Sequence, residues 1–327
     1  MLNAHPTGAA APIPSGAVAI CLITCQRPQG LARLLDGIAR LRFPGVPPAI
    51  EVIVVDNDAA GTAESVCREA RPALPGALRY LIEPRRGIPF ARNAGIRSIS
   101  PETGFVVMID DDEVPEQGWL AELLRIQAET GAAVVCGPVL PELPPGVPEW
   151  IRRGKFFDRP RRQTGIPIVD ANSGNVLVAR AVIDALSAGF DERYALTGGS
   201  DTDFFRRARD AGFPMVWADS AIVTESIPAS RANAPWLLRR QYRLGNTLGL
   251  TDRNRVAALP NWLVRIGVRI GKACARLVFG LIQLPLAPII FWQLRPRLLR
   301  AGLSISRGAG MLAGVLGWTY EEYRQIH

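Results

Sequence analysis

From Val18 to Ala128 the chain repeats one pattern four times, a short β-forming apolar run followed by a longer helix-patterned one. The pairs are Val18 to Thr24 with Leu31 to Leu41, Glu51 to Val55 with Ala63 to Ala70, Leu78 to Ile82 with Phe90 to Ile99, and Phe105 to Ile109 with Trp119 to Ala128. Strands separated by helices pair in parallel, because each helix carries the chain back to the starting edge of the sheet. The pattern predicts an α/β fold with a mostly parallel central sheet and helices on both faces. A further strand is expected over Ala132 to Val139. Pro138, Pro141, Pro144, Pro145 and Pro148 then mark a loop-rich insertion that reaches roughly to Asp170. Strands at Asn175 to Ala179 and Met215 to Ala218, with a helix at Asp201 to Ala211, complete the series.

Open α/β sheets bind ligands outside the carboxyl ends of their strands, and in this chain those ends are polar. The fourth run, Phe105-Val106-Val107-Met108-Ile109, leads directly into Asp110, Asp111, Asp112 and Glu113. Crowded carboxylates repel, and a divalent cation relieves the repulsion by taking hard oxygen ligands. Asp110 and Asp112 form an Asp-x-Asp pair suited to a metal that keeps waters and binds diphosphate oxygens. The alternative is a solvated acidic turn. The first strand ends in Thr24-Cys25-Gln26-Arg27-Pro28 and the second in Asp56-Asn57-Asp58. A carboxylate at that crevice can hydrogen-bond a base or a ribose hydroxyl, although Asp56 could equally cap a helix. After the third strand, Ala91-Arg92-Asn93 puts an arginine near a helix start, which suits phosphate; a surface salt bridge is the plainer role.

The net charge of +8 is concentrated in one region. Ten of the 38 Lys and Arg residues, and no Asp or Glu, fall between Arg253 and Tyr320, which leaves 28 basic against 30 acidic residues elsewhere. A nearly neutral body with a basic tail points to a local anionic partner, and no recognition-helix or zinc-finger spacing supports nucleic acid. In the tail, Arg265, Arg269, Lys272 and Arg276 run beside Ile266, Ile270, Ala273 and Leu277 at helical spacing. Such a helix suits an anionic bilayer, and the uncharged stretch Leu277 to Trp292, interrupted by Pro285 and Pro288, suits shallow or re-entrant insertion. Packing against its own domain is the competing expectation. Five scattered cysteines, Cys21, Cys25, Cys67, Cys136 and Cys274, read as reduced thiols of a cytosolic protein. Residues 1–16 read as a flexible leader, without the apolar core of a signal peptide.

The ordered set Thr24 to Pro28, Asp56 to Asp58, Gly87 to Gly95, Ile109 to Pro115, Ser173-Gly174-Asn175 and Gly198-Gly199-Ser200-Asp201-Thr202-Asp203-Phe204 resembles the inverting family 2 glycosyltransferases of GT-A fold. Within them it is most similar to glucosyltransferases of succinoglycan-type exopolysaccharide assembly. The resemblance implies a GT-A catalytic domain over 17–252, with a nucleotide-binding half at 17–115 and an acceptor half at 116–252. Residues 253–327 would then be a helical membrane-associating tail. It also implies a UDP-sugar donor gripped by Thr24, Gln26, Arg27, Asp56, Asp58, Arg92, Asp110 and Asp111. Asp112 would hold Mg²⁺ or Mn²⁺ with Asp110 beside it, and Asp201 would act as the catalytic base.

Gly199, Ser200, Asp203 and Arg243 are candidates for contact with the acceptor or diphosphate. Ser200 departs from the family, which commonly has Glu there, and Asp203 is the residue expected to compensate in part. The segment Arg239 to Arg243 lacks the Gln-x-x-Arg-Trp signature of processive synthases, so a single sugar addition is expected. The implied acceptor is a polyprenyl-diphosphate-linked oligosaccharide at the cytoplasmic face of the inner membrane. A nucleotide-sugar binding protein with impaired catalysis is the alternative. Asp110 to Val114 also matches the Asp-x-Asp-x-Val signature of haloacid-dehalogenase-type phosphatases. That signature belongs on an early strand with a later phosphate-binding lysine, and the only lysines here are Lys155 and Lys272.

Overall fold

The strands of the protein, seen in a computed structural model that describes residues 16–256, 262–286 and 294–321, follow the predicted alternation closely. They are β1 (Ala17–Thr24), β2 (Ile50–Asp56), β3 (Ala77–Ile82), β4 (Thr103–Asp110), β5 (Glu113–Pro115), β6 (Val134–Cys136), β7 (Val139–Glu142), β8 (Asn175–Ala179), β9 (Met215–Trp217) and β10 (Val223–Ser226). The helices are α1 (Pro28–Ala39), α2 (Glu64–Ala70), α3 (Ile88–Arg97), α4 (Trp119–Thr130), α5 (Glu149–Gly154), α6 (Arg180–Ala185), α7 (Ser200–Asp210), α8 (Ala234–Val256), α9 (Trp262–Leu286) and α10 (Leu294–Leu316).

Seven strands form the main sheet in the order β3-β2-β1-β4-β8-β6-β9, and β5-β10-β7 form a small second sheet. β1, β2, β3 and β4 pair in parallel, while β8 runs antiparallel to β4 and β6. Alternation along β1 sorts the core onto two faces. Val18, Ile20 and Leu22 pack with Leu31, Leu34 and Leu35 of α1 and Trp119 and Leu123 of α4. Ala19 and Cys21 pack on the opposite face with Ala91 of α3, Val182 of α6 and Phe204 and Phe205 of α7. The single strand expected at Ala132 to Val139 is divided at Gly137-Pro138 into β6 and β7, which join different sheets. Proline offers no amide to a ladder, so the chain changes sheet there.

Asn175 holds the two sheets together. Its Nδ2 donates to the carbonyls of Pro138 at 2.9 Å and Ala221 at 2.7 Å, and its Oδ1 accepts from Trp119 Nε1 at 2.7 Å. All four groups are buried or carried by buried segments, so truncation leaves polar atoms without partners. Asn175→Ala is expected to cost about 3 kcal/mol or more, since each buried unsatisfied group costs about 1–3 kcal/mol. Urea unfolding checks this, and a loss below about 1 kcal/mol would contradict the assignment.

The C-terminal helices are not a free appendage. α8 runs continuously past residue 252, and α10 packs along both α8 and α9. α8 and α10 approach backbone to backbone: a Cβ on Gly245 would meet Arg307 O at 2.1 Å, and one on Gly314 would meet Asn246 O at 2.3 Å. Helices that touch so closely require small residues at the crossing. The expected open basic stripe on α9 is divided, because Arg269 turns inward to pair with Asp252 of α8, which also takes Arg206 Nη1 at 3.0 Å. The side chain of Arg265 and the leader at residues 1–15 lie outside the described residues, as do 287–293 within the expected insertion segment. Lys272 and Arg276 stay exposed, flanking a solvent-facing band of Val264, Val268, Val278, Phe279, Leu281 and Ile282. Among the described residues no helix is long and apolar enough to cross a membrane.

Candidate active site

The carboxyl ends of β1, β2 and β4 bring the sequence-marked residues to one side of the sheet, but their side chains divide into two layers. β4 ends at Asp110 and β5 begins at Glu113, with a turn at Asp111-Asp112 between them, and burial sorts the four acids: Asp111 and Glu113 are buried, while Asp110 and Asp112 stay partly exposed. Asp111 is buried and accepts Thr24 Oγ1 at 2.8 Å and Arg27 Nη1 at 3.0 Å. Glu113 is buried too and accepts the Asp110 amide at 3.1 Å. Burial, with Asp110 and Asp112 nearby, holds its carboxyl well above the usual range.

Asp56 belongs to the same inner layer. It is fully buried, with Oδ1 accepting the Asp58 amide at 3.1 Å and Oδ2 accepting the Ala63 amide at 2.8 Å and Tyr80 Oη at 2.9 Å. The sequence reading gave Thr24, Asp56 and Asp111 direct contact with the donor. In this structure they also brace the turns beneath the crevice, where loop amides, hydroxyls and Arg27 engage their oxygens. Asn57 works alongside them: its Nδ2 donates to the carbonyls of Glu83 and Arg85 at 2.8 and 2.7 Å, and its Oδ1 accepts the Gly87 amide at 2.9 Å. It thereby ties the end of β2 to the start of α3.

The outer layer faces the crevice. Gln26 is exposed with φ of 54°, an uncommon conformation for a residue with a Cβ, and its side chain hydrogen-bonds Asp58. Asp58 lies below the usual carboxyl range through the Ala60 amide, Thr62 and Gln26. Arg92 sits in a half-enclosed slot, 3.3 Å from Asp110 and 5.5 Å from the Phe190 ring. Loss of surrounding water pushes Asp110 up to about 6, with Asp112, Asp111 and Asp201 adding to the rise against the pull of Arg92. The carboxylate nevertheless keeps an open edge, being 38% exposed. Asp112 lies between two arginines, 3.3 Å from Arg27 Nη1 and 3.4 Å from Arg231 Nη1.

Asp201 approaches from the acceptor side, close enough for its charge to raise Asp110. It stands in the first turn of α7, where Oδ1 accepts the Thr202 amide at 2.7 Å. Gly199 precedes the helix at φ of 99°, and a Cβ there would meet Thr247 Cγ2 of α8 at 2.2 Å. Glycine alone fits both the conformation and the approach. Ser200 is buried. Asp203, expected to compensate for the missing acid, is buried and held by Arg207 Nε at 2.7 Å, so it organises α7. Arg243 lies half-buried on α8. Sequence reasoning missed Arg231: it reaches Asp112 across 119 positions, and no local motif marks it.

Among the described residues no three carboxylate, thiol or imidazole side chains converge as a metal cage. Asp110 and Asp112 both keep partly exposed carboxylates and the charge of Asp112 presses on Asp110, so they still form a donor set of the kind Mg²⁺ or Mn²⁺ uses when substrate phosphates complete the shell. The residues therefore fit such an ion.

Comparison with known proteins agrees with this geometry. The profile of glycosyl transferase family 2 matches residues 19–187. The succinoglycan biosynthesis protein ExoM of Rhizobium meliloti (strain 1021) is 30% identical over 301 residues, covering 92% of each chain. Glycosyltransferase AglE of Haloferax volcanii is 24% identical over 76% of this chain and 80% of its own length. Among solved structures, the mannosyltransferase PcManGT of Pyrobaculum calidifontis, in complex with GDP-Man and Mn²⁺, superposes with a TM-score of 0.62. It shares 18% identity and covers 94% of this chain and 90% of its own. TarS of S. aureus (1-349), in complex with UDP-GlcNAc, superposes with a TM-score of 0.51 at 15% identity over 93% of both chains. With that family profile, that relative and the GT-A architecture around its crevice, the chain belongs to the family 2 glycosyltransferases.

Proposed function

We propose that the protein transfers a single hexose, glucose in our reading, from a UDP-sugar to a lipid-linked oligosaccharide in exopolysaccharide or cell-surface polysaccharide assembly. The observation that carries this reading is the approach of Asp201 to Asp110 across the crevice, which sets a candidate base opposite a candidate diphosphate site. The similarity to ExoM supports the pathway class.

In this mechanism Gln26, Arg27, Asp58 and Arg92 line the donor pocket, with Asp56 and Asn57 fixing the loops that form it. Asp110 and Asp112 hold a Mg²⁺ or Mn²⁺ ion, which when bound supplies Lewis-acid neutralisation of the departing diphosphate. Arg27, which helps neutralise Asp112 in this structure, swings toward the phosphates as negative charge develops there. Asp201 accepts the proton of the attacking acceptor hydroxyl as the new bond forms and the bond to the diphosphate breaks. One displacement inverts the anomeric centre. Transfer assays with UDP- and GDP-sugars in a membrane lipid extract test the donor: turnover from UDP-glucose is expected. Metal-dependent nucleotide-sugar binding without turnover, in an extract that contains competent acceptor, would favour the binding-protein alternative.

The place of action in this reading is the cytoplasmic face of the inner membrane, reached through α9. Its outward apolar band and exposed Lys272 and Arg276 suit an interfacial helix on anionic lipid. Because α10 packs on α8, truncating the C-terminal region would strip the core, so surface substitutions are the cleaner probe. The pair Phe279→Glu and Ile282→Glu is expected to weaken sedimentation with phosphatidylglycerol vesicles about tenfold or more, given about 1.5–3 kcal/mol for burying each apolar side chain. Unchanged co-sedimentation would overturn the membrane role of α9.

A further inference from the structure

We propose that Arg231 and Arg240, over the indole of Trp236, together with Arg159 beside Arg240, form an oxyanion subsite for the phosphate groups of the acceptor, adjoining the donor site but distinct from it. This rests on the glycosyl-transfer reading above and extends it to the acceptor.

The guanidinium carbons of Arg240 and Arg231 lie 5.2 and 5.8 Å from the Trp236 ring centroid. Trp236 itself stacks on Phe157 at 6.0 Å, backed by Ile151, Leu237 and Leu299. Arg159 Nη2 stands 2.7 Å from Glu225, on the strand that leads to Arg231. Arg159, Arg243 and Arg231 all press on Arg240, and with burial foremost they bring its guanidinium down to about 10, against the pull of Glu225. Arg159 is paired with Glu225 and Arg231 with Asp112, whereas Arg240 makes no ion pair among the described residues. A cluster serving only the fold would be expected to pair its charges, since half-buried cations without partners are costly.

Position separates this cluster from the donor. Asp112 has Arg27 on one side, at the junction of β1 and α1, and Arg231 on the other, after β10. Arg159, Arg231, Trp236 and Arg240 all come from the chain after β6, which builds the acceptor side with Asp201. Planar guanidinium forks match phosphate oxygens in pairs, and the partly exposed Trp236 ring, backed by buried Phe157, offers an apolar surface for the chain attached to the phosphate. The ligand class that fits is an isoprenoid-type diphosphate, charged at one end and apolar at the other.

Calorimetric titration of the full-length protein with farnesyl diphosphate, and separately with UDP plus Mn²⁺, reads the two sites independently. Wild type is expected to bind both ligands, and farnesol only weakly. Arg240→Gln and Arg159→Gln are each expected to weaken farnesyl diphosphate about tenfold or more, the loss of a charge-assisted bond, while UDP affinity stays within about twofold. Arg240→Lys, which keeps the charge but not the fork, should fall between. Arg159 is partly exposed, so its variant carries the test if Arg240→Gln does not fold. Equal weakening of UDP would assign the cluster to the donor diphosphate and overturn the proposal. So would unchanged farnesyl diphosphate affinity in the folded variants, equal binding of farnesol, or no binding of farnesyl diphosphate by wild type. Failure of wild type to bind UDP would instead strike the donor reading, which keeps the two failures apart.

Discussion

Asp201→Asn is expected to lower sugar transfer by about two to four orders of magnitude, the usual contribution of a positioned general base, with UDP affinity nearly unchanged. The amide keeps the shape of the carboxylate and can still accept the Thr202 amide that fixes Asp201 at the start of α7. What it cannot do is take the proton from the attacking hydroxyl. The buried neighbours offer no substitute, since Asp203 is engaged by Arg207 and Ser200 is enclosed. Single-turnover kinetics with donor bound beforehand would expose the effect without interference from product release. Retention of more than about a tenth of the wild-type rate would remove Asp201 from the role of base.

Asp112→Asn is the second large effect. An ion at Asp110 and Asp112 would stabilise the departing diphosphate by several kcal/mol, or roughly three orders of magnitude in rate at about 1.4 kcal/mol per factor of ten. Wild-type affinity for UDP is expected to rise on adding Mn²⁺ and to fall again with EDTA, while the variant shows neither response. Removing the charge of Asp112 also leaves Arg27 and Arg231 without a shared partner. Metal-free UDP binding in the variant should therefore hold steady or tighten, a pattern that simple misfolding would not produce. Metal-enhanced UDP binding that survives in Asp112→Asn would place the ion elsewhere.

The sequence revealed the frame of this protein better than its wiring. Strand and helix alternation from β1 to α4 reflects burial on two faces, which leaves a periodic trace in the chain, and β8 matched its expected bounds at Asn175 and Ala179. The short strands β5 and β10 left no such trace, because three or four residues carry too little periodicity. The candidate site was legible as a list of segments, since each lies just past a strand. It was not legible in which side chains face the crevice. Asp56 and Asp111 look the same in sequence as Asp110 and Asp112, yet in the structure they are buried and held by tertiary partners such as Tyr80 and Thr24. Arg269 was misjudged for a similar reason, because Asp252 lies on a different helix. Pairings across such distances depend on the fold and have no local signature.

The measurement that bears most directly on the account is the anomeric configuration of the product, read by NMR after transfer from an α-linked UDP-sugar. A single displacement assisted by Asp201 predicts a β-linked product from the first turnover. An α-linked product would mean net retention and would contradict the assignment of Asp201 as the base of an inverting reaction.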